Sequence, residues 1–167
     1  MYKTVFLTLF YTGLRKGEFC GLSLDDPDEK NCELHLHHTV KSLNGTGATL
    51  STKFKNSNSK RIVPIPEWLV PMLKKELEKE QYPFLHKYRS LSTTYDRYHK
   101  RTNLKRIRIH DFRHSYASML ISKGVDIYTV SQTLGHADIQ TTVNVYGHLY
   151  PDKRKEITNI LSKINWS

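Results

Sequence analysis

Arginine forks, ring nitrogens and phenols are side chains that can hold an anion and move a proton, and this 167-residue chain carries them in four short segments. These are Thr12-Gly13-Leu14-Arg15-Lys16-Gly17-Glu18, then Lys55-Asn56-Ser57-Asn58-Ser59-Lys60-Arg61-Ile62-Val63-Pro64, then His110-Asp111-Phe112-Arg113-His114-Ser115, and Leu134-Gly135-His136-Ala137-Asp138, with Tyr146 ten residues after His136. A planar guanidinium can bind two oxygens of one phosphate. His110 stands three residues before Arg113, so one helical turn presents both to one ligand. Taken singly, each has an ordinary reading: a surface ion pair for either arginine, a cap for a histidine at a helix start, a solvated turn for Lys55, and a core or surface ring for any of ten tyrosines. The charge adds direction. Between His86 and Arg113 nine basic residues face two acidic ones, and Lys53, Lys55, Lys60 and Arg61 add four more, so these stretches carry more than the whole net charge of +10. Such concentration points to a polyanion-binding face.

In this order and spacing the segments resemble the catalytic domain of the tyrosine recombinase, or phage integrase, family, over about Thr8 to Leu149. An isolated HxxR or TGLR arises by chance; four segments in family order with a tyrosine at the family's distance form a specific signal. Integrases of prophages and conjugative elements are the nearest look-alikes. The resemblance implies site-specific DNA recombination, the integration or excision of a mobile element. A tyrosine hydroxyl attacks a DNA phosphate, leaving a 3′-phosphotyrosine and a free 5′-hydroxyl, and a partner strand's 5′-hydroxyl later reverses the step. The covalent link stores the phosphodiester energy, so the family needs neither ATP nor a metal or other cofactor. At pH 7 only about 0.1% of an ordinary tyrosine is phenolate, so the nucleophile needs a base and a cationic neighbourhood.

By the same resemblance Tyr146 is the nucleophile, and Arg15 and Arg113 are the two arginines that stabilise the phosphorane. His110 assists deprotonation of Tyr146, and His136 holds a position taken by His or Trp in relatives, donating to the phosphate or packing against the site. Lys55 protonates the leaving 5′-oxygen, because Lys55, Ser59, Arg61 and Pro64 follow the family's K-T-x-x-S-x-R-x-x-P hairpin. Asn56 departs from that pattern, and Lys53, on the same strand face, competes for the role. Glu18 orients Arg15, and His114 and Ser115 support the site from behind.

The elements that must position these groups read as α+β, mainly helical, with a small three-stranded antiparallel sheet. Val5 to Tyr11 looks like the end of a buried helix broken at Thr12-Gly13, and Leu14 to Leu22 like a second short one. Strands are expected at Cys32 to Val40, Ala48 to Phe54 and Arg61 to Ile65, with turns at Asn44-Gly45-Thr46-Gly47 and Asn56-Ser57-Asn58-Ser59. Helices are expected at Glu67 to Glu80, Ser92 to Thr102, Asp111 to Lys123, Asp126 to Leu134 and Asp138 to Val145. Asp126 and Asp138 suit N-caps, and Gly124 and Gly135 suit positive-φ C-terminal positions. A last helix enters at Pro151 and places Ile157, Ile160, Leu161 and Ile164 on one stripe.

With 38% hydrophobic and 25% charged residues the chain reads as one globular domain, 1–167, with no run long enough for a membrane helix and no convincing signal peptide. Cys20 and Cys32 form neither a CxxC pair nor a disulfide framework, which argues against redox and zinc-finger classes and suggests reduced thiols in a cytosolic compartment; the resemblance implies a cytoplasmic, nucleoid-associated bacterial protein. The expected partners are double-stranded DNA, further copies in a homo-tetramer on DNA, and accessory DNA-bending or excision proteins, with no membrane. The chain is expected to begin inside a domain and to lack the family's N-terminal core-binding and arm-type domains. That leaves, as the alternative, a catalytically incompetent DNA-binding fragment of an integrase. His35 and His37, on one face of a predicted strand, raise a zinc hydrolase reading, which the lack of an Asp, Glu or Cys at ligand spacing weighs against. Type IB topoisomerases share the tyrosine chemistry; the Leu134-Gly135-His136 segment and the small size favour a recombinase.

Overall fold

Helix α1 (Tyr2–Thr12) buries Val5 and Leu9 together with three threonines, Thr4, Thr8 and Thr12. Two of those hydroxyls are satisfied inside the helix, Thr8 Oγ1 donating to the Thr4 carbonyl and Thr12 Oγ1 to that of Thr8. The computed structural model describes residues 2–43, 47–53, 60–103, 105–152 and 154–164. Gly13 stops α1 with φ +60°, and a Cβ there would lie 2.5 Å from the Tyr116 ring, so glycine lets the helix end rest directly on the helix that carries Tyr116. After it comes α2 (Lys16–Cys20), whose Phe19 stacks on Phe84 at 4.6 Å between ring centres.

The strands depart from expectation in their pairing. β1 (Pro27–Asp28), β2 (Glu33–His35) and β5 (Ile62–Pro64) form a three-stranded antiparallel sheet in the order β1-β2-β5, with Leu34 opposite Val63. β3 (Thr39–Leu43) and β4 (Gly47–Ser51) pair only with each other, Val40 opposite Leu50. The run from Cys32 to Val40 is therefore two strands in two sheets. Its ladder is interrupted by Asp26, a buried carboxylate that accepts from the His37 backbone N–H and contacts His37 Nδ1 at 2.9 Å. Phe54 and the turn 56–59 lie outside the described residues.

Helices α3 (Leu69–Leu77) and α4 (Lys87–His99) complete the larger core, which gathers Val5, Leu9, Phe19, Leu34, Leu73 and Phe84. The α4 helix begins five residues before the expected Ser92, with Lys87 buried in its first turn. A second, smaller core joins α5 (Asp111–Ser122), α6 (Ile127–Leu134) and α7 (Ile139–Tyr146) through Tyr116, Ala117, Ile121, Val130, Leu134 and Tyr146. The caps fall where the sequence puts them. Asp126 accepts from the Thr129 N–H and Asp138 from that of Gln140, while Gly124 and Gly135 take φ +85° and +66°. A 3-10 turn (Gly147–Leu149) leads to α8 (Arg154–Leu161), which buries nothing: Ile157, Ile160 and Leu161 are exposed, as is Ile164 beyond its end. Among the described residues no helix is long and apolar enough to cross a membrane.

Candidate active site

Polar side chains join the two cores. Arg15 follows the Gly13 turn in an extended conformation, and Glu18, three residues on, accepts both its backbone N–H at 2.8 Å and its guanidinium at 2.7 Å. Glu18 is buried and takes a second fork as well, Arg61 Nη1 and Nη2 donating to its two oxygens at 3.0 and 3.1 Å. Burial by itself would raise the Glu18 carboxyl, but the charges and hydrogen bonds of Arg61 and Arg15 outweigh it and hold it below the usual carboxylate range. Arg61 also donates from Nε to the Thr133 carbonyl, and Arg15 from Nη2 to that of Gly135, so both arginines tie the first half of the chain to the end of α6.

Arg113 completes the seam. It is 3% exposed, and its guanidinium donates to the carbonyl of Gly13 at 2.8 Å and to that of Leu134. These are end-of-helix carbonyls, opened by the two positive-φ glycines that terminate α1 and α6. Burial, and then the charges of Arg15 and Arg61, lower its pKa to about 9, which leaves it a cation at neutral pH. Arg15, with a side chain 37% exposed, is the more open of the two forks.

His136, just past Gly135, sets its Nδ1 2.8 Å from the buried Thr142 hydroxyl. Burial first, and then the charges of Arg113, Arg15 and Arg61, bring its pKa down to about 4, so the ring is neutral at pH 7. In the tautomer whose Nδ1 accepts from the Thr142 hydroxyl, Nε2 carries the proton and can donate. His110, at the entrance to α5, has its pKa lowered by burial and by His114 and Arg113. Tyr146 closes α7 at 4% exposure, and its hydroxyl lies 2.7 Å from His114 Nδ1. Burial raises the Tyr146 pKa against the opposing pull of Arg113, so the phenol is neutral until a base acts on it.

Four expected site residues, Arg15, His110, His136 and Tyr146, thus lie within electrostatic reach of a fifth, Arg113. Lys55 lies outside the described residues, and its competitor Lys53 is exposed just beyond β4. In sequence Arg61 stands out as part of a basic cluster and of the hairpin pattern; its bond to Glu18, 43 residues away, has no local signal. Nothing in the sequence marks Thr142 as a partner of His136, and His114 touches the tyrosine hydroxyl itself. Ser115 behaves as a helix residue, donating to the Asp111 carbonyl.

The basic stretch is partly neutralised. Arg106 pairs with Asp96 and Arg108 with Asp111, and both arginines line a cleft of about 390 Å³ with Lys16, Tyr95 and His110. The histidine-rich strand differs from expectation too: Asp28 and Glu33 do stand beside His35, all three within 4.8 Å of one another, whereas His37 pairs with Asp26. Asp28 comes from the neighbouring strand, where sequence spacing does not reveal it, and its carboxylate and that of Glu33 lie 4.0 and 3.4 Å from His35 Nε2.

Two arginine forks and a buried tyrosine thus meet in a mainly helical domain at the ends of α1, α6 and α7. The chain belongs to the phage integrase family, whose sequence model matches residues 1–153. It is 33% identical over 183 residues to the ICEBs1 integrase of Bacillus subtilis (strain 168), covering 98% of this chain and 49% of that protein. Transposase A from transposon Tn554 of Staphylococcus aureus is 30% identical, over 96% of this chain and 47% of its own length. The chain spans about half the length of the curated relatives it matches. Among solved structures, the Tn1549 transposon integrase (residues 82–397) in complex with circular intermediate DNA superposes with a TM-score of 0.70 at 20% identity, over 95% of this chain and 59% of that one. The catalytic domain of bacteriophage HP1 integrase gives 0.61 at 22%, over 98% and 84%. At such identities these two similarities establish the fold.

Proposed function

We propose that the chain is the catalytic part of a tyrosine-type site-specific recombinase that integrates or excises a mobile element by cutting and rejoining double-stranded DNA. The observation that carries the reading is the meeting of Arg15, Arg113 and buried Tyr146 at one seam. Arg113 gives one N–H from each terminal nitrogen to a carbonyl, and Arg15 gives one to Glu18 and one to the Gly135 carbonyl; a guanidinium carries five, so each retains N–H groups for the non-bridging oxygens of a phosphate. As Tyr146 Oη bonds to phosphorus, negative charge grows on those oxygens, and the two forks stabilise it in place, with His136 Nε2 as a third donor. The P–O5′ bond breaks, the DNA is left as a 3′-phosphotyrosine, and Lys55 supplies the proton of the leaving 5′-hydroxyl. Attack by another 5′-hydroxyl runs the step backwards.

The names of the relatives support mobile-element recombination, and Tn1549 integrase and XerH have been solved with DNA. A homo-tetramer on DNA, accessory bending or excision proteins, and a cytoplasmic, nucleoid-associated setting belong to the same proposal, with residues 1–167 as the catalytic domain. The reading of a DNA-binding fragment without chemistry has less support, because the described site is equipped for charge stabilisation as well as for contact.

The test is a suicide substrate: a nicked duplex spanning the junction of the element that carries the gene, incubated with full-length enzyme containing this domain. A protein–DNA adduct stable in detergent, mapping to Tyr146 and indifferent to EDTA, is expected. Mapping to another residue refutes the assignment, and inhibition by EDTA that divalent metal reverses refutes the metal-free mechanism.

A further inference from the structure

Tyr146 is buried, and a buried hydroxyl needs a hydrogen-bond partner. That partner is His114, with Nδ1 2.7 Å from Oη and the two rings tilted at 51°, 5.8 Å between centres. His110 makes no comparable bond to Oη among the described residues; its ring stands perpendicular to that of His114, 5.0 Å away. Consecutive residues on a helix point about 100° apart, so α5 sends Arg113 to the carbonyls of Gly13 and Leu134 and His114 to α7. One helix thereby supplies both an anion holder and a group on the nucleophile.

We propose that His114 is the immediate proton acceptor of Tyr146, holding the hydroxyl in the active site of its own chain and taking its proton as Oη attacks phosphorus. This rests on the recombinase reading above and changes the division of labour within it. The Oη–H bond breaks toward His114 Nδ1, Oη bonds to phosphorus, the P–O5′ bond breaks, and the 5′-oxygen takes its proton from the hairpin lysine. On resealing, the incoming 5′-hydroxyl gives its proton back to the hairpin lysine as its oxygen bonds to phosphorus, the P–Oη bond breaks, and His114 returns its own proton to Tyr146. His110, at the open end of the site, positions the His114 ring edge to face rather than touching the nucleophile. The titratable and charged groups around His114 are His110, Asp111 and Arg113 on its own element and Tyr146 on α7. A general base acts only in its unprotonated form, so adduct formation is expected to fall on the acid side.

Two measurements decide the matter. In the 167-residue chain without DNA, Tyr146→Phe should shift the His114 Nδ1 resonance in a long-range 15N correlation spectrum while the other histidines hold still; an unmoved His114 overturns the proposal. In the suicide-substrate assay, His114→Ala should slow adduct formation by about 10²-fold or more. His114→Asn, which returns a hydrogen-bond acceptor near the Nδ1 position but no base, should stay at least tenfold slow and lose the acid limb of the pH profile. Recovery by His114→Asn to within threefold of wild type, with the acid limb intact, overturns proton transfer. Wild-type enzyme that forms no adduct refutes the recombinase reading instead, and the pairing of His114 with Tyr146 then stands or falls on the spectrum alone.

Discussion

Replacing Glu18 by glutamine tests the polar seam more directly than any change to a reacting group. The carboxylate accepts four hydrogen bonds from two arginines while almost wholly buried, and the amide puts an NH₂ where one oxygen faced a guanidinium. Arg61, with a side chain 7% exposed, has little access to water once its counter-charge is gone; Arg15, 37% exposed, relaxes into solvent. The cost is therefore that of breaking one buried pair, about 3–5 kcal/mol, with the share of Arg15 discounted to less than about 1. At about 2–4 °C per kcal/mol for a chain of this size, Tm should fall by roughly 6–20 °C. Because the folded Glu18 pKa lies below its ordinary 4.5, this stabilisation is complete above that value and is lost as pH falls through the lower folded one. Thermal melts followed by circular dichroism should thus show a wide gap between wild type and Glu18→Gln at pH 7 that narrows at strongly acid pH. In a double-mutant cycle with Arg61→Leu, the second substitution should cost much less once the first is present. A Tm change under 2 °C at pH 7, or additive costs in the cycle, would show that the seam is not a coupled ion network.

Gly13→Ala forces a positive-φ alanine whose Cβ meets the Tyr116 ring, so the urea midpoint should drop by the equivalent of about 1–3 kcal/mol; an unchanged midpoint refutes the close packing of α1 on α5. Lys55→Ala should slow cleavage of ordinary DNA far more than cleavage of DNA carrying a 5′-bridging phosphorothiolate, whose thiolate leaves without a proton. If Lys53→Ala shows that rescue and Lys55→Ala does not, the alignment of the hairpin is wrong. Light scattering of the 167-residue chain at micromolar concentration without DNA should give mainly monomer, since the exposed stripe on α8 is one short helix; a stable tetramer refutes this. Deleting residues 151–167 from the full-length enzyme should impair synapsis and strand exchange, and unchanged exchange would mean that the stripe does not dock on a neighbour.

What the sequence determined by itself is local. Asp126, Asp138, Gly124 and Gly135 act through bonds and backbone angles within a few residues, so the ends of α5, α6 and α7 could be read directly. The order and spacing of Arg15, His110, Arg113, His136 and Tyr146 likewise named the family, because the resemblance lies in residue types along the chain. Tertiary structure decided the rest, since hydrogen bonds between distant residues leave no periodic trace. The bond from Glu18 to Arg61, the placing of Arg113 on two helix-end carbonyls 100 and 21 residues away, and the contact of His114 with Tyr146 belong to that group. So does the splitting of one apparent strand into β2 and β3, where the Asp26 carboxylate captures the His37 N–H. A strand's alternation records which face is buried but not which partner it meets, and a histidine beside an arginine in sequence does not show that a helix turns the two toward different neighbours.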